Sequence, residues 1–402
     1  MTSEQCKQRL LELLKVPGNE KCADCSATVP PPDFISLNLG LFVCIKCSGV
    51  HRSLGTRYSS IKSIHLDTFD TEKCNAMERM GNALGARKWE HSVPDCWPPV
   101  SKSDYEDLIE QWIKAKYERQ EFVDGAGACK QSYANGSKYG WMLKKEKKSK
   151  NWNKRFFVLS SQQGYLCYFI RQEEAEPKQR IHISQVNVML LADDITHRKH
   201  SMLITFPIHR NGYSKQRHIY TYTESSFETI DWYLAIRAAR LIFLQPFLYG
   251  VEKPVVEHLL TRRYLKMGYL HKTGSKSGDG WKKRFVCIDT HRFCYFEKAL
   301  DAEPLGEVDI ESYNMNCFAM EGIEGNHPNA PSKHCFMVHS QIVQKGRNPV
   351  FNFCAESREE MLAWLAAFRK AMKKLEWLDP ISDKSQRISI LSNFSSRCLS
   401  DA

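Results

Sequence analysis

Two CxxC pairs, "CADC" at Cys22 to Cys25 and "CIKC" at Cys44 to Cys47, stand eighteen residues apart and constrain this chain more than any other feature. Each pair is a turn on which two thiolates converge, and four thiolates satisfy Zn²⁺ tetrahedrally with no position left for water. A closed four-cysteine site stabilises a fold and does not activate a nucleophile. The sequence therefore predicts one structural zinc ion held by Cys22, Cys25, Cys44 and Cys47. His51 and His65 follow the second pair closely; with four cysteines available they are read as packing or hydrogen-bonding residues. The other eleven of the fifteen cysteines are scattered singly, several in apolar runs such as "GYLCYF" and "FNFCAE". In a reducing compartment they are read as small buried hydrophobes, not disulfides.

Fingers of this spacing include DNA-binding ones, which need dense Lys/Arg after the last cysteine. From Ser48 to Asp70 the chain offers only Arg52, Arg57 and Lys62, set against Asp67 and Asp70. Residues 1–125 carry 16 basic and 18 acidic side chains, whereas residues 136–241 carry 18 and 9, and residues 262–375 carry 18 and 13. The formal charge of +11 thus sits away from the cysteine module, which disfavours a nucleic-acid partner and points to an anionic membrane surface. No stretch approaches the roughly 20 apolar residues of a membrane span. The start reads as an amphipathic helix from Ser3 to Lys15, not a signal peptide, so a cytoplasmic location is expected.

The second half repeats itself. "YGWMLKKEKKSKNWNKRFFVL … GYLCYF … FETIDWYLAIRAAR" is followed by "MGYLHKTGSKSGDGWKKRFVCID … RFCYFEK … REEMLAWLAAFRKAM", with 92 residues from Gly140 to Trp232 and 96 from Gly268 to Trp364. Short alternating strands with one terminal helix describe a small antiparallel barrel whose open end the helix plugs, with Trp232 and Trp364 as the plugs. The expected domains are 1–125, 136–241 and 262–375, with a Ser-rich, disordered tail at 376–402. "DGAGACKQSYANGS" reads as a linker, and "FLQPFLYGVEKPVVEHLLTRRY" as a packed connector that fixes the barrels to each other. In the first domain, Met77, Met80 and Leu84 fall at helical spacing interrupted by Gly81 and Gly85. A helix with Ser103 as N-cap is expected to put Leu108, Ile109, Trp112 and Ile113 on one face.

The pattern Cys22, Cys25, Cys44, Cys47 and Arg52, with "LGLFVCIKCSGVHRSLG", "SIHLDTFD", "MGN", Trp89–Glu90 and "WIKAKYERQEF", resembles the GTPase-activating domain for ADP-ribosylation factors (Arf GAP). With the two repeats, which resemble pleckstrin-homology (PH) domains, the whole chain is similar to the Arf GAP family with dual PH domains. The resemblance implies an α+β multidomain fold: a four-cysteine zinc-finger Arf GAP module with helices, then two PH-type β-barrels each closed by a C-terminal helix. It implies that the chain performs no independent catalysis and supplies Arg52 in trans, as an arginine finger, to an Arf GTPase in its GTP form. The other reading of Arg52 is a structural hydrogen bond within the module. The spacing between the pairs is longer than usual in the family, with the excess in "TVPPPDF", and Phe34 and Phe69 stand where the family has Trp. Those departures keep open a second function, a catalytically weak or inactive phosphoinositide-dependent adaptor.

PH-like domains that bind inositol phosphates place Lys on the first strand and [Lys/Arg]-x-Arg on the second, so that cations on adjacent strands converge on vicinal phosphates. The second repeat fits with Lys272, Lys282 and Arg284, and with Tyr295 as a further donor. In the first, Lys144 and Arg155 match but Asn153 takes the middle position; Lys145, Lys147, Lys148, Lys150 and Lys154 surround the gap. The implied ligands are phosphatidylinositol bis- or trisphosphate, with peripheral recruitment to the plasma membrane.

Overall fold

The computed structural model describes residues 1–125, 131–147, 149–210, 213–274, 279–310, 318–323, 327, 329–339 and 350–372. Lys148 and the expected disordered tail lie outside the described residues. The chain divides into two compact units. Of the described residues, the first holds those within 1–138 with 159–161 and 223–241; the second holds those within 139–158, 162–222 and 242–372.

The first unit opens with α1 (Ser3–Leu13), where Thr2 and Gln5 cap each other's backbone N–H in a reciprocal box. Three short strands, β1 (Phe34–Ser36), β2 (Leu41–Val43) and β3 (Ile61–Ser63), form an antiparallel sheet in the order β2-β1-β3, and α2 (Ile45–Leu54) starts directly after Cys44 and carries Cys47. Cys6, Leu10, Ile35, Phe42, Ile64, Phe69, Cys74 and Met77 make one core, so Phe69 fills an interior position.

The Met77–Leu84 periodicity resolves into two helices, α3 (Thr71–Arg79) and α4 (Gly81–Trp89), broken where Gly81 takes φ +70°. Leu84 is exposed, and the buried positions of α4 are Gly81, Asn82, Gly85 and Trp89. A Cβ on Gly85 would meet Leu41 Cδ2 at 2.2 Å, so that glycine lets α4 lie against β2. The "MGN" asparagine is the tie: Asn82 accepts from Phe42 N at 2.8 Å and donates to the carbonyls of Lys21 at 2.8 Å and Phe42 at 3.0 Å.

Helix α5 (Glu106–Ile113) starts after Tyr105, which gives no side-chain cap, so Ser103 is not the N-cap. The expected face is buried: Leu108, Ile109, Trp112 and Ile113. The helix widens into a π turn at Lys114–Glu118. Part of the expected linker is packed instead of free, because Tyr133 is buried, accepts from Trp97 Nε1 at 2.7 Å and donates to Glu121 at 2.8 Å. Residues 223–241 also join this unit: Arg237 is fully buried and donates to Cys96 O at 2.6 Å, and Gln111 donates to Ser226 Oγ at 2.9 Å.

The second unit carries two seven-stranded antiparallel sheets with one topology. The first is built from β4 (Ser137–Lys145), β5 (Trp152–Ser160), β6 (Tyr165–Phe169), β7 (Gln179–His182), β8 (Asn187–Leu191), β9 (Ser201–Arg210) and β10 (Tyr213–Tyr222), with α6 (Asp193–Thr196) between β8 and β9. After α7 (Ser226–Leu244) and α8 (Lys253–Leu260), β11 (Lys266–Lys272), β12 (Lys282–Ile288), β13 (Arg292–Phe296), β14 (Gly306–Asp309), β15 (Phe318–Glu321), β16 (Cys335–His339) and β17 (Val350–Cys354) form the second, followed by α9 (Arg358–Met372). The strand orders, β7-β6-β5-β4-β10-β9-β8 and β14-β13-β12-β11-β17-β16-β15, both set the first strand beside the last. Trp364 and Phe368 of α9 sit in one core with Leu270, Val286, Phe293, Phe336 and Phe353, so Trp364 is the plug of its barrel. Trp232 is likewise fully buried.

The connector is packed as expected. Leu260 is buried, and the Arg262 backbone pairs with the Asn187 side chain, donating to Oδ1 at 2.8 Å and accepting from Nδ2 at 3.1 Å. The barrels share apolar clusters in which Met189, Leu203 and Tyr220 meet Tyr264 and Met267. His218 lies in that interface, 3.0 Å from Tyr264 Oη, with its ring centroid 4.8 Å from that of Phe296. Burial, helped by the nearby Arg217, pushes its pKa down to about 3, so it packs as a neutral ring.

Candidate functional site

The four cysteines predicted to bind metal are brought together. All are buried, and their Sγ atoms lie within 4.8 Å of one another, with no histidine or carboxylate in the group among the described residues. The first pair sits on a tight turn, where Cys22 N donates to Ala27 O at 2.9 Å and Ser26 N donates to Cys22 O at 3.0 Å. The second pair opens α2, and Cys44 N donates to Cys22 Sγ at 3.3 Å. Four buried soft donors suit one zinc ion and leave no fifth group to activate water, so the metal is structural.

Against this cluster lies a set of buried charges that the motifs alone did not reveal. Asp24, between the cysteines of the first pair, accepts from Lys116 Nζ at 3.0 Å and Tyr117 Oη at 2.9 Å, and pairs with His51 Nε2 at 2.9 Å. Its carbonyl accepts from Trp112 Nε1 at 3.1 Å. Lys116 also reaches Glu90 at 2.7 Å, and His51 Nδ1 meets Ser59 Oγ at 2.8 Å. His51 is therefore a hydrogen-bonding residue, as expected, while His65 is exposed.

Burial raises the Asp24 carboxyl, but Lys116 and His51 outweigh it and hold it below the ordinary carboxylate range. Burial likewise pulls Lys116 down, and Tyr117, Asp24 and Glu90 together carry it well above its usual value. Both charges persist because each is fully hydrogen-bonded. The "WIKAKYERQEF" segment thus has a physical role. Trp112, Lys116 and Tyr117 clamp the first cysteine turn to α5, and His51 clamps α2 to the same carboxylate. The signal was present in a lysine four residues beyond Trp112, on an otherwise apolar helix face.

Arg52 follows His51 on α2 and points outward, being exposed beside a fully buried neighbour. Its guanidinium lies 5.1 Å from the centroid of the Phe34 ring. Among the described residues the guanidinium makes no hydrogen bond or ion pair, while the Arg52 carbonyl accepts from Gly55 N at 3.2 Å. Phe34 keeps an aromatic face beneath the cation where the family has Trp, and such a stack contributes on the order of 0.5–1 kcal/mol at an exposed site.

The barrel mouths differ. In the second, Lys272 and Lys282 are direct cross-strand partners, Leu270 faces Arg284, and Val286 faces Tyr295. Lys272 Nζ stands 4.8 Å from the Tyr295 ring centroid and 5.3 Å from that of Phe351. Burial, with repulsion from Arg284 and against the pull of Asp279, lowers the Lys272 pKa to about 8. A Cβ on Gly306 would strike Tyr295 Oη at 2.2 Å, so glycine opposite makes room for the phenol.

In the first barrel Lys144 holds the place of Lys272, 5.3 Å from the ring centroid of Tyr168. Sequence reasoning named Tyr295 but missed Tyr168, although both stand in a "CYF" triplet. Arg155 is held by Glu146 at 2.7 Å. Lys154 is exposed and, one residue from Arg155 on a strand, faces the opposite side. The structure therefore does not bring Lys154 to the Lys144–Arg155 cluster.

Residues 7–126 match the ArfGap family of GTPase activating proteins for Arf, and residues 136–240 and 264–373 each match the PH domain family. The chain is 37% identical over 375 residues to the human (Homo sapiens) Arf-GAP with dual PH domain-containing protein 2, spanning 91% of this chain and 93% of that protein. It is 35% identical over 370 residues to the protein of the same description in rat (Rattus norvegicus), spanning 91% and 94%. Among solved structures, the ArfGap domain of HIV-1 Rev binding protein is similar over 31% of this chain and 92% of that one, at 24% identity and a TM-score of 0.28. The chain belongs to the family of Arf GTPase-activating proteins with dual PH domains.

Proposed function

We propose that the chain accelerates GTP hydrolysis on a GTP-bound Arf-type GTPase by placing Arg52 at its nucleotide, and does so at phosphoinositide-bearing membrane. The observation that carries this reading is the state of Arg52: exposed, stacked on Phe34, its guanidinium hydrogen-bonded to no group among the described residues, and mounted on a helix fixed by Cys44, Cys47 and His51. Phosphoryl transfer spreads negative charge over the γ-phosphate oxygens. A planar, always-ionised donor brought there in trans is worth about 10³–10⁵ in rate in characterised GTPases. The zinc ion held by the four cysteines stabilises the helix that carries Arg52 and takes no part in the chemistry.

The domains are assigned as 1–125 for GTPase activation and 136–241 and 262–375 for membrane binding. Lys272, Lys282, Arg284 and Tyr295 bind the headgroup of a phosphatidylinositol bis- or trisphosphate in the second barrel, and Lys144 and Arg155 do so in the first. Lys154, on the outer strand face, meets the anionic bilayer, where each basic residue adds about 1 kcal/mol. The two PH repeats recruit the chain peripherally, with the plasma membrane as its destination. No helix among the described residues is long and apolar enough to cross a membrane. Confining activator and lipidated GTPase to one surface raises their effective concentration without any new contact.

Single-turnover GTP hydrolysis by vesicle-bound Arf, with and without phosphatidylinositol bis- and trisphosphates, tests the reading. Acceleration that depends on the lipid is expected. Lipid binding without acceleration on any Arf would make the chain an adaptor.

A further inference from the structure

The first mouth lacks the middle cation of its motif, yet another arginine reaches it. Arg217 lies on β10, four residues before Thr221, the cross-strand partner of Lys144. Its charge bears on both Lys144 and Tyr168, as that of Arg155 does. The Arg217 guanidinium donates to Glu303 Oε1 at 2.6 Å, and Lys147 Nζ donates to the same oxygen at 2.7 Å. Glu303 belongs to the second barrel, in the loop between β13 and β14. The side chains of Arg217 and Glu303 are 17% and 24% exposed, so this shared pair is partly dried and still reachable from water.

We propose that Arg217 is a phosphate-binding residue of the first barrel, replacing the cation absent at Asn153, and that Glu303 holds Arg217 and Lys147 until an inositol phosphate displaces it. The inference rests on the headgroup reading of the barrels. One carboxylate shared by two cations is a weaker counter-charge than the phosphates of an inositol polyphosphate, and bidentate binding favours Arg. Ligand entry then breaks an ion pair that ties one barrel to the other, so filling the first mouth loosens its contact with the second. In the second mouth, Lys272 and Arg284 donate to the carbonyls of Thr273 and Lys283, as Lys144 and Arg155 donate to those of Lys145 and Lys154 in the first, so the Glu303 pair is what sets the first mouth apart.

The test uses the full chain carrying Lys282→Ala and Arg284→Ala, which silences the second mouth. Binding is read by titration with soluble inositol tetrakisphosphate and by sedimentation with phosphatidylcholine vesicles, with or without phosphatidylinositol trisphosphate. Glu303→Gln is expected to tighten both about fivefold, the scale of a partly exposed ion pair. Arg217→Gln is expected to weaken both about tenfold, and Arg217→Lys to recover part of that loss, with melting temperatures unchanged. Tightening by Glu303→Gln on vesicles but not with the soluble ligand would mark a general surface-charge effect and overturn the proposal. So would binding that depends on Lys144 but is indifferent to Arg217 and Glu303, which leaves the headgroup reading intact. A parent that binds neither probe through the first barrel overturns that reading together with this inference.

Discussion

Lys116 in the N-terminal module is fully buried and Lys272 in the second barrel half-buried, and their surroundings push them in opposite directions. Lys116 touches Asp24, Glu90 and the Ala23 carbonyl, and its charge is favoured over the unfolded chain. Lys272 touches two aromatic faces and a backbone carbonyl, and its charge is disfavoured. A charge that is fully paired holds a structure together; one short of counter-charge is a candidate for ligand binding. The same contrast grades the barrels, because Glu146 and Glu303 already occupy cations of the first mouth.

The sharpest way to break this comparison is to remove both charges. Lys116→Met leaves Asp24 buried and short of a cation, and should destabilise the N-terminal module by about 3–5 kcal/mol, read from its denaturant midpoint. Lys272→Met should act the other way, raising stability at neutral pH by about 1–3 kcal/mol while abolishing headgroup binding by the second barrel. If both substitutions destabilise alike, the distinction is wrong.

A pH series sharpens it further. A lysine whose folded pKa of about 8 lies below its unfolded value of 10.5 weakens the fold fully below pH 8, and the penalty fades as pH rises toward 10.5. Headgroup affinity has the opposite trend, since phosphate favours the protonated amine. It should fall through pH 8 and approach about a tenfold loss per unit beyond it until the complex itself titrates. Lys272→Arg should bind with no such slope, and a wild-type affinity flat from pH 7 to 9 would exclude the assignment. The smallest expected effect is in the first barrel: Asn153→Lys completes the motif and should tighten vesicle binding by about 1 kcal/mol, or roughly fivefold. Vesicle sedimentation would measure it, and no gain would mean that Arg217 already fills that role.

Much of this was legible in the residues because the signals are local or periodic. The zinc set follows from spacing, the barrels from the repeat, and Lys272, Lys282 and Arg284 from the alternation of adjacent strands. What stayed hidden depends on pairs distant in the chain. Asp24 reads as one more turn residue until Lys116, ninety-two positions on, is seen to reach it. Arg217 is one basic residue on a strand, and only the pairing of β10 with β4, at Thr221 and Lys144, carries it toward the first mouth. The break between α3 and α4 was marked by Gly81, yet the apolar spacing drew attention to Leu84, which is exposed, while tight packing selected Gly85. The helix expected to close the first barrel also packs with the N-terminal module through Arg237, a contact that no local pattern announces.

The central claim is that an exposed guanidinium on a rigid, metal-held helix does its work in another protein's active site. Arg52→Lys tests it most directly, since charge is kept and only the planar fork is lost. Single-turnover GTP hydrolysis by Arf on phosphoinositide vesicles should then fall by about 10³, while zinc content, melting temperature and vesicle binding hold at wild-type values. Hydrolysis at the wild-type rate by that variant would contradict the account.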